Sequence, residues 1–324
     1  MNNNIKIASI GMYHPETKRG NDFYLDHFEK KGRDISGLLT ALNKKERHVA
    51  GEGETTLTMG IESAKRALDK AGLTAKDIDM IIFSTQVPEY IIPTNAMLVH
   101  EALGCECHVL VMDSNASCAG MTVAVEQTSR YMMANPHVNR ALVIGSDHLT
   151  KISNPEQEIT YANQGDASVS VILEKTAEDT GFIDAAVHTY SANTDKITYP
   201  KEGLAKQGTT GYIDFIPFDP SFGTPIIFNL METLFERNNL TPEDMGGFFL
   251  SQFAYGDTLK IQERFNLPDE KMNFVGDRFG YTGTTSPFLA LHEAIEEGKI
   301  KRGDHLMFWT VGAGHQFIAM LFKY

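Results

Sequence analysis

The stretch LTAKDIDMIIFST, Leu73 to Thr85, returns in the second half of the chain as LTPEDMGGFFLSQ, Leu240 to Gln252, in parallel and without a gap. Each copy follows a run with helical spacing, TLTMGIESAKRALDKAG before the first and TPIIFNLMETLFERNN before the second. Each then enters a short apolar run, Met80 to Phe83 and Phe248 to Leu250, of the kind that forms a buried strand. An internal repeat of this sort is read before any motif, because it sets the architecture.

Working outward, the first copy is followed by a helical piece ending VHEALG, the strand HVLVMD, a helix opened by Cys118 and the strand RALVIGSD. The second is followed by KIQERFNLP, then MNFVGD, TSPFLALHEAIEEG and DHLMFWTVGAG. Both halves therefore predict one helix-strand-helix-strand-helix-strand order. Strands that alternate with helices call for mostly parallel sheets covered by helices on their faces. Two such halves, residues 1–175 and 176–324, related by a pseudo-twofold, would bring their strand and buried-helix units together and place Cys118 at the centre. From Glu178 to Phe222, ending in YPKEGLAKQGTTGYIDFIPFDPSF, no clear period is visible, and the segment reads as a loop-rich excursion.

A hydrophobic content of 42% with 22% charged residues excludes disorder for a 324-residue chain. The net charge of −13 argues against a nucleic-acid or anionic-membrane partner, because those surfaces need clustered Lys and Arg. No window reaches the roughly 18–20 apolar residues of a membrane span, and the start MNNNIKIASIGMY lacks a basic region followed by a long apolar run. The expected location is the cytoplasm. Three cysteines are not the pattern of a disulfide-stapled secreted domain. Cys105-x-Cys107-His108 has no second ligand pair at finger-like spacing, so small buried side chains at a strand start are expected there, with no metal and no cofactor.

Cys118 lies in DSNASCAGM, Asp113 to Met121, between an apolar stretch and the helical run CAGMTVAVEQTSRYMM. A helix N-terminus favours a thiolate and can hold an adjacent oxyanion. Ser117, Ala119 and Gly120 leave room for an acyl group. These are the local conditions for a nucleophilic cysteine that forms a thioester, and they are equally those of a small residue packed at a helix start.

The chain resembles the ketoacyl-ACP synthase III branch of the thiolase-like superfamily. The likeness is carried by DSNASCAGM, Gly145-Ser146-Asp147, QGDASVSVIL, DRFGYTGTTSPFLALHEAIEEGKIKRGD and Val311-Gly312-Ala313-Gly314, in that order along nearly the whole chain. The resemblance implies a thiolase fold, two pseudo-symmetric αβ halves forming a five-layer αβαβα sandwich, and a dimer. It implies a ping-pong reaction in which Cys118 takes an acyl group from a CoA or carrier-protein thioester and passes it to a second substrate. The oxyanion hole it implies consists of the backbone N–H groups of Cys118 and Ala313. Ile92, in YIIPTNA, resembles the side chain that caps the partner's acyl pocket across the dimer.

The resemblance breaks at the residues that usually assist the nucleophile. Gln252 falls at the family's catalytic histidine and Tyr281 at its asparagine, so both are expected as polar donors around Cys118. Loss of a general base typically slows a reaction about 10²- to 10⁴-fold. His315, directly after Gly314, is a possible replacement base. Counting back from Lys45-Glu46-Arg47-His48 places Gly37 and Ala41 where the family holds the CoA adenine, and downstream of Gln252 this chain has Asp257 where the family carries an arginine for carrier docking. The expected activity is a divergent ketosynthase III-like acyl transfer in specialised or fatty-acid-related metabolism, by a homodimer or a heterodimer with a ketosynthase homologue. The alternatives left open are a catalytically weak or inactive partner subunit of a heteromeric ketosynthase, or an acyl-thioester hydrolase or sensor.

Overall fold

Period-two alternation along the strands separates three layers of core. In the strand Met80–Ser84, Ile81 and Phe83 point to one apolar cluster while Met80 and Ile82 point to another. In His305–Gly312, Leu306 and Phe308 join the second of these clusters, and Met307 and Trp309 join a third. Strands buried on both faces need a helical layer on each side, and the chain supplies three. The structure is a computed structural model that describes residues 4–206 and 211–324. Residues 207–210 of the predicted excursion lie outside the described residues.

The first sheet contains β1 (Asn4–Tyr13), β2 (Met80–Ser84), β3 (Leu110–Ser114), β4 (Arg140–Asp147) and β5 (Ala167–Thr176), in the spatial order β1-β5-β4-β2-β3. The second contains β6 (Gly181–Thr189), β7 (Met245–Leu250), β8 (His305–Gly312) and β9 (Gln316–Lys323), in the order β6-β9-β8-β7. In each, two antiparallel pairings are followed by a parallel one, and only the first sheet goes on to an extra parallel strand, β3. The repeated stretches enter β2 and β7 through the same turn. Thr74 donates its N–H and hydroxyl to Asp77 Oδ2 at 2.9 Å each, and Thr241 does so to Asp244 Oδ2 at 2.8 Å each.

Helices α1 (Thr56–Ala71) and α2 (Asn95–Leu103) cover the outer face of the first sheet, and α4 (Gly223–Asn238) and α5 (Tyr255–Arg264) that of the second. Between the sheets lie α3 (Gly120–Ala134) and α6 (Ser286–Glu296), each with most of its residues buried. This is the five-layer sandwich. Apolar residues around much of the circumference of α3 and α6 reflect burial on all sides.

Three local expectations are corrected. Residues 181–189 are not part of an excursion but the strand β6, paired antiparallel to β9. The polar Asp184 interrupts its apolar alternation, and Arg130 and Arg237 satisfy it from neighbouring helices at 3.9 and 3.7 Å. MNFVGD forms no strand; a single bridge joins Met272 to Phe248. Cys105 and Cys107 do not start a buried strand either. Gly104, at φ 69°, ends α2, and Cys107 is exposed in the turn before β3. Among the described residues, no helix is long and apolar enough to cross a membrane.

Candidate active site

Cys118 stands two residues before α3, on a turn in which Ser117 has a φ of 51°. Groups from the turn before α6 and from β8 fix this turn. Thr284 Oγ1 accepts the N–H of Met121 at 2.6 Å, occupying one of the free donors of the helix start, and Thr310 Oγ1 donates to the Cys118 carbonyl at 3.3 Å. A Cβ on Gly120 would collide with Ser84 Oγ, and one on Gly312 with the carbonyl oxygen of Ala116. Glycine at these two positions is what lets α3 and the β8–β9 turn close on the cysteine. Ala313 is thereby set beside residues 116–118.

Polar side chains converge on the sulfur. The Tyr281 hydroxyl hydrogen-bonds to Cys118, and Ser251 hydrogen-bonds to Tyr281. On the other side Gln86 Nε2 lies 3.7 Å from Sγ. Its orientation is set by Asp147, which accepts from Gln86 N, Gln86 Nε2, Thr85 Oγ1 and Thr284 N at 2.9–3.0 Å. Burial pushes the Cys118 thiol up, and the bonds from Tyr281 and Gln86 oppose it. Burial also raises Asp147 to about 6 and holds Tyr281 well above the ordinary phenol value, so the tyrosine is a donor and never a base at neutral pH. The helix terminus supports a thiolate at this place, but desolvation works against it and is the larger effect.

Gln252 is not brought to Cys118, contrary to expectation. Its Nε2 donates to the carbonyls of Leu250 at 2.8 Å and Asn273 at 3.3 Å, and its Oε1 accepts the N–H groups of Val275 at 2.8 Å and Gly276 at 3.0 Å. Neighbouring residues at a strand end face opposite sides. Ser251 takes the side of the sulfur, and Gln252 takes the side where the expected strand over residues 272–277 is missing. The amide bonds the backbone groups there that no strand partner reaches.

Behind Gln252, the buried Lys44 donates to its carbonyl at 3.0 Å, and burial lowers this amine to about 7. The unfolded chain holds that proton up to its ordinary value of 10.5. Between the two values the unfolded state binds more protons, so stability rises with pH. From pH 7 to 8 we expect a gain of about 1 kcal/mol in urea unfolding from this group. Lys44→Met should remove that slope; an unchanged slope would assign it elsewhere.

A cavity of about 360 Å³ opens on Cys118. Ser251, Tyr281, Gln86, Ala313 and His315 border it, and much of the rest is apolar, including Phe215, Phe218, Phe222, Phe253 and Phe317. Of the expected site residues, Cys118, Tyr281, Ala313 and His315 share this cavity, whereas Gln252 does not reach it. Ile92 is 87% exposed on the loop before α2. Ser251, Gln86 and Asp147 were not anticipated from the sequence. Strand parity beyond Leu250 was the available signal for Ser251, and the Gly145-Ser146-Asp147 motif that for Asp147. No signal singled out Gln86. Among the described residues no group of three or more His, Cys, Asp or Glu is arranged to hold a metal ion.

Two family models match the chain, 3-oxoacyl-[acyl-carrier-protein] synthase III over residues 112–191 and its C-terminal model over residues 235–324. The beta-ketoacyl-[acyl-carrier-protein] synthase III of Agrobacterium fabrum is 30% identical over 288 residues, covering 86% of this chain and 88% of its own. That of Coxiella burnetii is 29% identical over 320 residues and 98% of each chain. The crystal structure of 3-oxoacyl-[acyl-carrier-protein] synthase III from Aquifex aeolicus superposes with a TM-score of 0.88 at 25% identity, over 99% of this chain and 100% of that one.

Proposed function

Because the chain belongs to the 3-oxoacyl-[acyl-carrier-protein] synthase III family of condensing acyltransferases, we propose that Cys118 is its acyl carrier. In this reading Cys118 Sγ attacks the carbonyl carbon of an acyl-CoA or acyl-carrier thioester. The developing oxyanion sits between the N–H groups of Cys118 and Ala313, and the donor thiol leaves with the proton. Tyr281 and Gln86 steady the sulfur by donating to it. The observation that carries the reading is the position of Cys118, at the start of a buried helix and open to an apolar cavity. Residues 1–175 and 176–324 act as two halves, the first carrying the nucleophile and the second closing over it. The working unit is a dimer in which the exposed Ile92 caps the partner's acyl pocket.

The usual histidine and asparagine of the family are replaced in this chain, the histidine by Ser251 rather than by Gln252, and the asparagine by Tyr281. Hydroxyl donors then stand where a proton acceptor and an amide would be, so decarboxylation of a malonyl thioester is weak while acyl loading survives.

Intact-protein mass after incubation with acyl-CoA and acyl-carrier thioesters tests the loading step. An adduct that is lost on adding a second substrate supports it, and the absence of an adduct with every donor would sink it. The replacement is tested by Ser251→His, expected to raise carbon dioxide release from malonyl-CoA about 10-fold or more. Gln252→His should give no gain. A gain from the second variant and none from the first would reverse the assignment.

A further inference from the structure

The second half of an acyl transfer needs a proton acceptor for the incoming nucleophile, and the groups described so far supply none at the cavity, because the Asp147 carboxylate already accepts four bonds and does not border it. Tyr281 is held protonated, and Ser251 and Gln86 are neutral donors. Of the charged residues that border the cavity, Asp257 and Lys260 pair with each other at 3.2 Å. Of the eleven histidines in the chain, His315 alone borders it.

Three features of His315 need an explanation. Its Nδ1 is buried with no hydrogen-bond partner, and among the described residues its other ring nitrogen has none either. A buried orphan of this kind costs about 1–3 kcal/mol. Its backbone lies in the left-handed region at φ 72°, on the turn that joins β8 to β9, where glycine would be relaxed. The imidazole is packed among Phe218 at 5.0 Å, Phe222 at 5.1 Å and Phe317 at 6.3 Å. A glycine at this position would relieve the backbone and the orphan together, and the chain keeps a histidine there.

We propose that His315 is the base of the transfer step, and that the acceptor it serves is an uncharged molecule with an exchangeable O–H, N–H or S–H group. The proposal rests on the reading of Cys118 as acyl carrier. The apolar and aromatic walls favour a neutral acceptor, since the cavity offers no charged side chain free of a partner. As the acceptor's O, N or S bonds to the acyl carbon, its proton passes to His315. The oxyanion collapses, the bond from the acyl carbon to Sγ breaks, and the imidazolium returns the proton to the Cys118 thiolate. Acyl-S-Cys118 and H–Nu become acyl–Nu and the free thiol, with no other reactant.

The rings against the imidazole carry no charge, and burial holds His315 below the ordinary 6.5. The titratable groups around it are Cys118, Tyr281, Asp257 and Lys260 on the cavity wall, Asp147 behind Gln86, and Tyr190, whose N–H donates to the His315 carbonyl. Transfer should therefore be flat with pH near neutrality and fall away below 6.5 as the base protonates.

His315→Asn and His315→Gly both tolerate the left-handed backbone. Cys118 is loaded from an acyl-CoA, the donor is removed, and loss of the acyl mass is followed with N-acetylcysteamine as probe acceptor, with loading measured in every variant. Relative to loading, discharge should fall about 10²- to 10⁴-fold, lose its acidic limb, and return in His315→Gly on adding imidazole. Discharge within a few-fold of the wild type would overturn the proposal. So would slowed discharge with the acidic limb intact and no imidazole rescue, since that is packing alone. Failure of the wild type to load would instead sink the acyl-carrier reading, a different result from a variant that loads and does not discharge.

Discussion

Cys118→Ala should take up no acyl group from any thioester donor, with kcat/KM reduced on the order of 10⁴-fold or more. The effect is large because Tyr281, Gln86 and the helix start all act through the sulfur and have nothing to stabilise once it is gone. Stability should change little. The side chain borders a cavity, and Ala119 and Gly120 beside it already make the close contacts to neighbouring elements. Loading by the wild type should also climb with pH, because the thiolate is the nucleophile and burial raises this thiol above its ordinary 9.0. The checks are intact mass and initial rates against pH. Acyl uptake by the alanine variant would remove Cys118 from the mechanism, and a rate that stays flat with pH would show that desolvation does not dominate the thiol.

Gln252→Leu is expected to have the largest effect on stability, a loss of roughly 4 kcal/mol or more. The side chains are similar in volume, so little of this is a cavity. The cost comes from four backbone groups: the carbonyls of Leu250 and Asn273 and the N–H groups of Val275 and Gly276 lose their partner in a place water does not reach. Each buried orphan costs about 1–3 kcal/mol. Gln252→Glu separates the two kinds of bond, because a carboxylate still accepts from Val275 and Gly276 but repels the two carbonyls. It should fall between wild type and leucine at acidic pH and fare worse as pH rises. Urea unfolding by circular dichroism decides the matter. A leucine variant as stable as the wild type would mean that the amide's bonds are replaced by other partners, and Gln252 would again be free to act at the sulfur.

Much of the architecture is legible along the chain. The repeat at Leu73 and Leu240 carries local information, a Thr-to-Asp turn bond and an apolar run that survives burial on both faces, and local signals of this kind are readable in one dimension. Cys118 is readable for the same reason, since a cysteine before a helical run needs no distant partner to be noticed. β6 is less so. It holds its place by pairing with β9, more than a hundred residues away, and its own pattern is broken by Asp184, whose charge is met by arginines from other elements.

By itself, the sequence determined the two-fold repeat of strand and helix and the place of Cys118 just before a helical run. Tertiary structure alone decided which of two adjacent residues faces the cavity that holds the sulfur. Side chains alternate at the end of a strand, so a shift of one position exchanges Ser251 for Gln252, and with it a donor to Tyr281 for a plug of backbone bonds. It also decided that Gln86, Tyr281 and His315, far apart in the chain, border one cavity with Cys118. Their meeting depends on how two sheets close over a buried helix, and no spacing within the sequence encodes that distance.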